Sequence, residues 1–186
     1  MNAEAIVIAV VVALEQLDVP YMVVGSFSSN LYGIPRSTQD ADFVVQLENT
    51  SVSSIARVLG PEFELDPQVS FETITGTTRY IMRHAKGAFK IELFLLSEDP
   101  HDRERFNRRK RLPVFGRDAW VPTPEDVIVT KLRWSRQGKR PKDIGDAKDV
   151  LTMQARTLDW EYLGKWCDAH GTRKLLDDLR ASLPPL

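Results

Sequence analysis

Apolar positions cluster in short runs broken by turn residues up to about residue 120, and adopt helical spacing beyond it. The run "AIVIAVVVAL" (5–14) is about half the length needed to span a bilayer. Its Val and Ile favour a strand, but Asn2, Glu15, Gln16 and Leu17 predict a buried helix ending near Val19-Pro20. "YMVVG" (21–25) reads as a buried strand stopped by glycine. "SFSSNLYG" (26–33) then predicts a helix of about two turns, with Ser26 as N-cap and Gly33 as stop. A second strand follows at 41–47, and a helix at 50–60, capped by Thr50 or Ser51 and ended by Gly60. "TTRYIMRH" and "FKIELFLL" flank "AKGA", the pattern of an antiparallel hairpin. Residues 99–118 are charged and basic, punctuated by Pro100 and Pro113, and "AWVPT" (119–123) suggests one more short strand. Helices alone are predicted from there: Thr123 caps the first, Pro124 opens it, and Glu125 and Asp126 complement its dipole. Further helices are expected at 141–155, 158–171 and 172–183. The pattern is therefore α+β, with a mixed sheet core at 1–119 and a C-terminal helical region at 120–186.

Composition narrows the class. A chain of 186 residues with 42% hydrophobic content can build one proper core. The 25 basic and 26 acidic side chains nearly cancel, so the whole chain does not coat nucleic acid, although local basic patches remain. A single cysteine, Cys167, forms no internal disulfide and fits a reducing, cytoplasmic setting. Glu4 and no Lys or Arg precedes the first apolar run, so it lacks the charged start of a signal peptide, and no membrane association is expected.

The chemistry concentrates in "VVGSFSSNLYGIPRSTQDADFVV" (23–45). On a strand, residues two apart share a face, so Asp40 and Asp42 project together. Two close carboxylates repel unless they are solvated, protonated or offset by positive charge. The plain interpretation is a solvated acidic strand start; the functional one is a hard cation such as Mg²⁺ held by both. Upstream, Gly25-Ser26 leaves a strand and opens a helix, where backbone N–H groups make an anion site. Arg36 and Thr38 lie between and add a charged donor and a hydroxyl. A phosphate cradle and a metal pair are the two halves of a phosphoryl-transfer site. A third carboxylate on another strand would be Glu92, the only acid in "KIELFLL"; the alternative is an edge strand with Lys90 and Glu92 in water.

The 23–45 stretch resembles the signature of the polymerase-beta-like nucleotidyltransferase superfamily: an apolar residue, Gly, Gly or Ser, a spacer, then Asp, an apolar residue, an acid and an apolar residue. Val24, Gly25, Ser26, Asp40, Ala41, Asp42 and Phe43 fill it, and "GIPRSTQD" is similar to a segment of the minimal bacterial members. "TPEDVIVTKLRWSRQGKRPKDIGDAKDVL" resembles the helical segment of AbiEii-type nucleotidyltransferases, which include toxins of toxin–antitoxin pairs. The resemblance implies transfer of NMP from an NTP to a hydroxyl. It implies Mg²⁺ or Mn²⁺ on Asp40, Asp42 and Glu92, and phosphates on Gly25 and Ser26. It gives Lys131 a nucleotide-phosphate role, and Asp143 and Asp146 a catalytic or positioning one. The superfamily's third carboxylate is usually Asp, and Glu92 departs from that.

The acceptor is less defined. "RERFNRRKR" (103–111) and "KLRWSRQGKRPK" (131–142) are basic, with Phe106 and Trp134 interleaved as stacking candidates, which permits an RNA or tRNA end. A protein hydroxyl or an aminoglycoside stays open, as does a solvated face. Two other classes compete: a non-catalytic antitoxin or toxin partner that keeps the fold, and a metal-dependent phosphohydrolase.

Overall fold

The computed structural model describes residues 1–85, 87–137 and 140–183. The first apolar run is the helix α1 (Ala3–Gln16), whose Asn2 side chain accepts from the Ala5 N–H at 2.9 Å. It leads through a turn at Asp18 into β1 (Tyr21–Val24), α2 (Gly25–Tyr32) and β2 (Asp40–Val45). The helix α2 begins two residues earlier than a Ser26 cap predicts. Val24 precedes it, no side chain caps it, and Ser26 is not the N-cap. Ser28 and Ser29 instead turn their hydroxyls back onto the Gly25 carbonyl. The helix α3 (Val52–Leu59) has its cap at Ser51 and Gly60 past its end, as its sequence predicts.

Two short strands not anticipated follow, β3 (Phe63–Leu65) and β4 (Ser70–Glu72). The expected hairpin is β5 (Thr77–His84) with β6 (Lys90–Leu95); Lys86 of its turn lies outside the described residues. The sheet runs β1-β2-β6-β5-β3, with β4 also on β5. It is mixed: β2 and β6 are parallel, and the other pairs are antiparallel. Because β6 lies between β2 and β5, the edge-strand alternative for Glu92 does not hold.

Strand alternation gives the sheet two different faces. Phe43, Val45, Ile91 and Leu93 turn to one side and bury against Ile6, Val10 and Leu14 of α1 and Ile55 of α3. Asp40, Asp42 and Val44 of β2, beside Glu92 and Phe94 of β6, turn to the other. There Met22, Val24, Val44 and Phe106 form a smaller apolar cluster.

The basic stretch is regular structure. It forms the helix α4 (Pro100–Asn107), capped by Asp99, and a hairpin of β7 (Lys110–Val114) and β8 (Arg117–Val121). The chain then runs into α5 (Pro124–Gln137), α6 (Pro141–Gln154), α7 (Trp160–Ala169) and α8 (Arg173–Ala181). These four helices share a second core around Ile128, Leu132, Leu151 and Leu163. Among the described residues no helix is long and apolar enough to cross a membrane.

Candidate active site

A cleft of about 260 Å³ opens on the polar face of the sheet, between it and α5. Its floor begins at Gly25. That residue sits at φ +65°, in the left-handed region that L side chains rarely adopt. A Cβ there would stand 1.9 Å from Asp42 Oδ2, so the carboxylate packs directly on the glycine backbone. Glycine is thus required twice, by conformation and by space.

Asp42 pairs with Val24 on one side and Glu92 on the other, and Asp40 is two residues upstream on the same face. Thr38 donates its hydroxyl to Asp40 Oδ1 at 2.6 Å. Solvent in the narrow cleft touches Asp42, but protein atoms crowd it closely. Burial raises its carboxyl to about 7, and the charges of Asp40 and Glu92 add to that against weaker opposition from Lys131 and Arg140.

The loop between α2 and β2 is fixed by Asn30, which accepts from the Arg36 N–H at 3.1 Å and donates to its carbonyl at 2.7 Å. Arg36 then reaches α6. It grips Asp146 with two parallel bonds of 2.7 and 2.8 Å and donates to Ser26 Oγ at 3.0 Å. Lys131 of α5 donates to Asp143 at 2.9 Å and to Asp146 at 2.7 Å. Arg140 Nε closes the row, 3.2 Å from the other oxygen of Asp143. Burial alone would raise the Asp146 carboxyl, but the bonds from Arg36 and Lys131 outweigh it and hold it at about 2.

Of the residues singled out from sequence, Gly25, Ser26, Asp40, Asp42, Glu92, Lys131 and Asp143 line the cleft together. Arg36, Thr38 and Asp146 do not line it; they stand behind the wall and hold residues that do. Arg79 and Asp102 line it without having been anticipated, and Arg105 and Arg140 reach it from the two basic runs. Arg79 was accessible to reasoning: a hairpin centred between residues 86 and 87 pairs Ile81 with Glu92 and sets Arg79 on the same face.

The 103–111 run lacks the stacking residue expected of it, and most of its arginines are paired. Phe106 is buried at 2% exposure in the sheet's smaller cluster, so no base can stack on it. The arginines are already engaged: Arg105 with Asp102, Arg108 with Glu125 and Asp126, Arg111 with Glu15, and Arg109 over the Phe106 ring. Trp134 does line the cleft, with the Arg140 guanidinium 5.2 Å from its ring centre. Gly138 and Lys139 of the second basic run lie outside the described residues.

No family model matches the chain, and no curated protein does. Solved structures do. A solution structure of the antibiotic-resistance factor ANT(2'')-Ia superposes with TM-score 0.60 at 12% identity, covering 96% of both chains. The chain has the polymerase-beta-like nucleotidyltransferase fold. An antigenic nucleotidyltransferase-like protein from Paracoccidioides brasiliensis shares that fold with TM-score 0.54 at 19% identity, over 99% of this chain and 95% of its own. JHP933 from Helicobacter pylori shares it with TM-score 0.51 at 15% identity, over 97% and 94%. At these identities the nucleotidyltransferase fold is what the likeness carries. The cleft must speak for the chemistry.

A divalent cation fits that cleft on its own terms. Among the described residues Asp40 and Asp42 have no ion-pair partner, whereas the cleft's other acids, Glu92, Asp102 and Asp143, each have one. Two adjacent hard-oxygen donors with no cation in direct contact are the donor set that Mg²⁺ or Mn²⁺ takes. No preformed cage of three or more metal-ligating side chains occurs among the described residues.

Proposed function

We propose that the chain is a metal-dependent nucleotidyltransferase that transfers NMP from an NTP to a hydroxyl acceptor. The observation that carries this is the unpaired Asp40–Asp42 pair, packed against the left-handed Gly25 at the head of α2. A buried or half-buried carboxylate pair costs stability unless something positive meets it. In a protein that pairs the other acids of the same cleft, its exposure to incoming cations is functional.

Asp40 and Asp42 would hold Mg²⁺ or Mn²⁺, which when bound offsets charge developing on the phosphoryl oxygens. Gly25 and Ser26 seat the β- and γ-phosphates on the first N–H groups of α2. Arg36, by donating to Ser26 Oγ, leaves that hydroxyl's own proton free for a phosphate oxygen. Two of the three N–H bonds of Lys131 go to Asp143 and Asp146, and the third remains for the triphosphate. Asp143 and Asp146 therefore act by positioning Lys131 and Arg36. Trp134 offers the nucleobase a stacking face. In the reaction the acceptor oxygen bonds to the α-phosphorus, the bond to the β-phosphate oxygen breaks, and pyrophosphate leaves. The acceptor's proton passes to a base on the sheet side, where Glu92 is the carboxylate in place.

The acceptor retained is an RNA end or a protein hydroxyl, RNA being supported by the basic run 131–142 with Trp134 in the cleft, and a toxin–antitoxin role rests on the AbiEii-like segment 123–151 alone. The complex of ANT(2'')-Ia with adenylyl-2''-tobramycin keeps small-molecule hydroxyls in the assay. Each α-labelled NTP is incubated with Mg²⁺ and RNA, protein extract or aminoglycoside. Label transferred by wild type and not by Asp42→Ala supports the reading. No transfer from any NTP, with tight binding to a protein partner, supports the non-catalytic class instead. NTP loss without a labelled acceptor supports a phosphohydrolase.

A further inference from the structure

The polar face of the sheet holds a positive charge that the transfer reading has not used. Arg79 of β5 lies diagonally across from Glu92 on β6, and both face the cleft. Its Nη1 donates to Glu92 Oε2 at 3.2 Å, while its Nε is anchored on Ser70 Oγ of β4 at 3.0 Å. The pair is partly covered, with side-chain exposures of 33% for Arg79 and 15% for Glu92. So the third carboxylate, next to Asp42 across the β2–β6 ladder, already has a cation of the protein's own.

We infer that the cleft is built for one divalent cation, at Asp40 and Asp42, and that Arg79 supplies to Glu92 the positive charge a second ion would bring. The inference rests on the metal reading above and specifies its stoichiometry. Three observations converge. The unpaired donors number two, not three. One oxygen of Asp40 already accepts from Thr38, which limits its capacity to bridge two ions. Glu92, the ladder neighbour of Asp42, is held by Arg79 at 3.2 Å rather than left free for an ion. An ion entering beside Glu92 would have to displace a guanidinium tethered at both ends, against direct charge repulsion. Arg79 is on this view a positioning residue: it holds Glu92 in place for the acceptor and keeps a second ion out.

The test is Mn²⁺ binding to the whole chain, read by electron paramagnetic resonance as ions bound per chain, with and without a non-hydrolysable NTP analogue. Wild type is expected to bind one ion. Glu92→Gln is expected still to bind one, weakened by less than about tenfold, because only a neighbouring charge is lost. Arg79→Met is expected to admit a second, weaker ion, and Arg79→Lys to bind one. Two ions in wild type, with one lost in Glu92→Gln, overturn the inference. A single ion in folded Arg79→Met overturns the role given to Arg79. Should Arg79→Met fail to fold, wild type against Glu92→Gln still decides the stoichiometry. No ion in wild type, or an ion that survives Asp42→Asn, overturns the metal reading itself and this inference with it.

Discussion

Replacing Lys131 by Met separates a lysine that only meets substrate from one that also holds the protein together. Lys131 is 7% exposed, between Asp143 at 1% and Asp146 at 7%. The substitution removes two charge-assisted hydrogen bonds, of 2.9 and 2.7 Å. Each is worth about 1.5–3 kcal/mol, and buried acids left without their cation typically cost about 3–5 kcal/mol. Arg36 still grips Asp146 with two bonds, and Arg140 still stands near Asp143, so the lower end applies. The methionine side chain also recovers some apolar burial. The expected loss is about 3 kcal/mol. For a chain of this size each kcal/mol shifts Tm by about 2–4 °C, so the melting point should fall by about 6–12 °C. Adding Asp143→Asn should recover more than half of the loss, since it removes the acid left with the weaker remaining partner. The assay is thermal melting and urea unfolding of the four proteins in the cycle, beside binding of a fluorescent NTP analogue. If Lys131→Met melts within about 2 °C of wild type and loses nucleotide binding, the lysine does not bear the load assigned to it, and the positioning role of Asp143 and Asp146 fails with it.

Three further outcomes are expected. Gly25→Ala should cost about 1–2 kcal/mol for the left-handed backbone and lower Mn²⁺ affinity more than about tenfold by displacing Asp42; an unchanged titration would refute the packing argument. Burial, followed by the charges of Arg133 and His101, lowers His170 to about 4 from an ordinary 6.5, and its buried Nδ1 has no hydrogen-bond partner. The unfolded chain then binds the extra proton first, so the contribution of His170 is flat above 6.5, falls between 6.5 and 4 and levels off below; Asp42, raised to about 7, slopes the other way over much of that range, so the readout is the urea midpoint of wild type relative to His170→Gln, which should drop between pH 6.5 and 4. Trp134→Ala should raise the Kd for the NTP analogue about tenfold with little change in Tm, since base stacking is worth about 1–3 kcal/mol and the ring is only half-buried in the cleft wall.

The corner of the cleft made by Gly25, Asp40 and Asp42 was legible because its information is local. Gly25 opens α2 directly after β1, Asp40 and Asp42 sit on β2, the next element in the chain, and strand alternation alone puts both acids on one face. Glu92 was legible as an isolated acid in an apolar strand, but its partner required the hairpin register. The Lys131 network was half legible. A connection of only residues 138–140 between α5 and α6 forces the helices side by side, which brings Asp143 and Asp146 back to Lys131. The basic run at 103–111 is less free than its composition implies, for a physical reason. Composition counts charges but does not show that the acids meeting them arrive from elsewhere in the chain, as Glu15 does for Arg111 and Asp126 for Arg108. Nor does hydropathy show that the buried side of α4 is made of His101, Asp102, Arg105 and Phe106, spaced as one helical face but mostly polar. A face of that kind is stable only because its partners are prebuilt: Ser97 and Arg105 on Asp102, Asp126 on His101. The same logic isolates the site. In the cleft the protein supplies counter-charge to Glu92, Asp102 and Asp143, and Asp40 and Asp42, left without an ion-pair partner among the described residues, are where the proposed cation would come from outside.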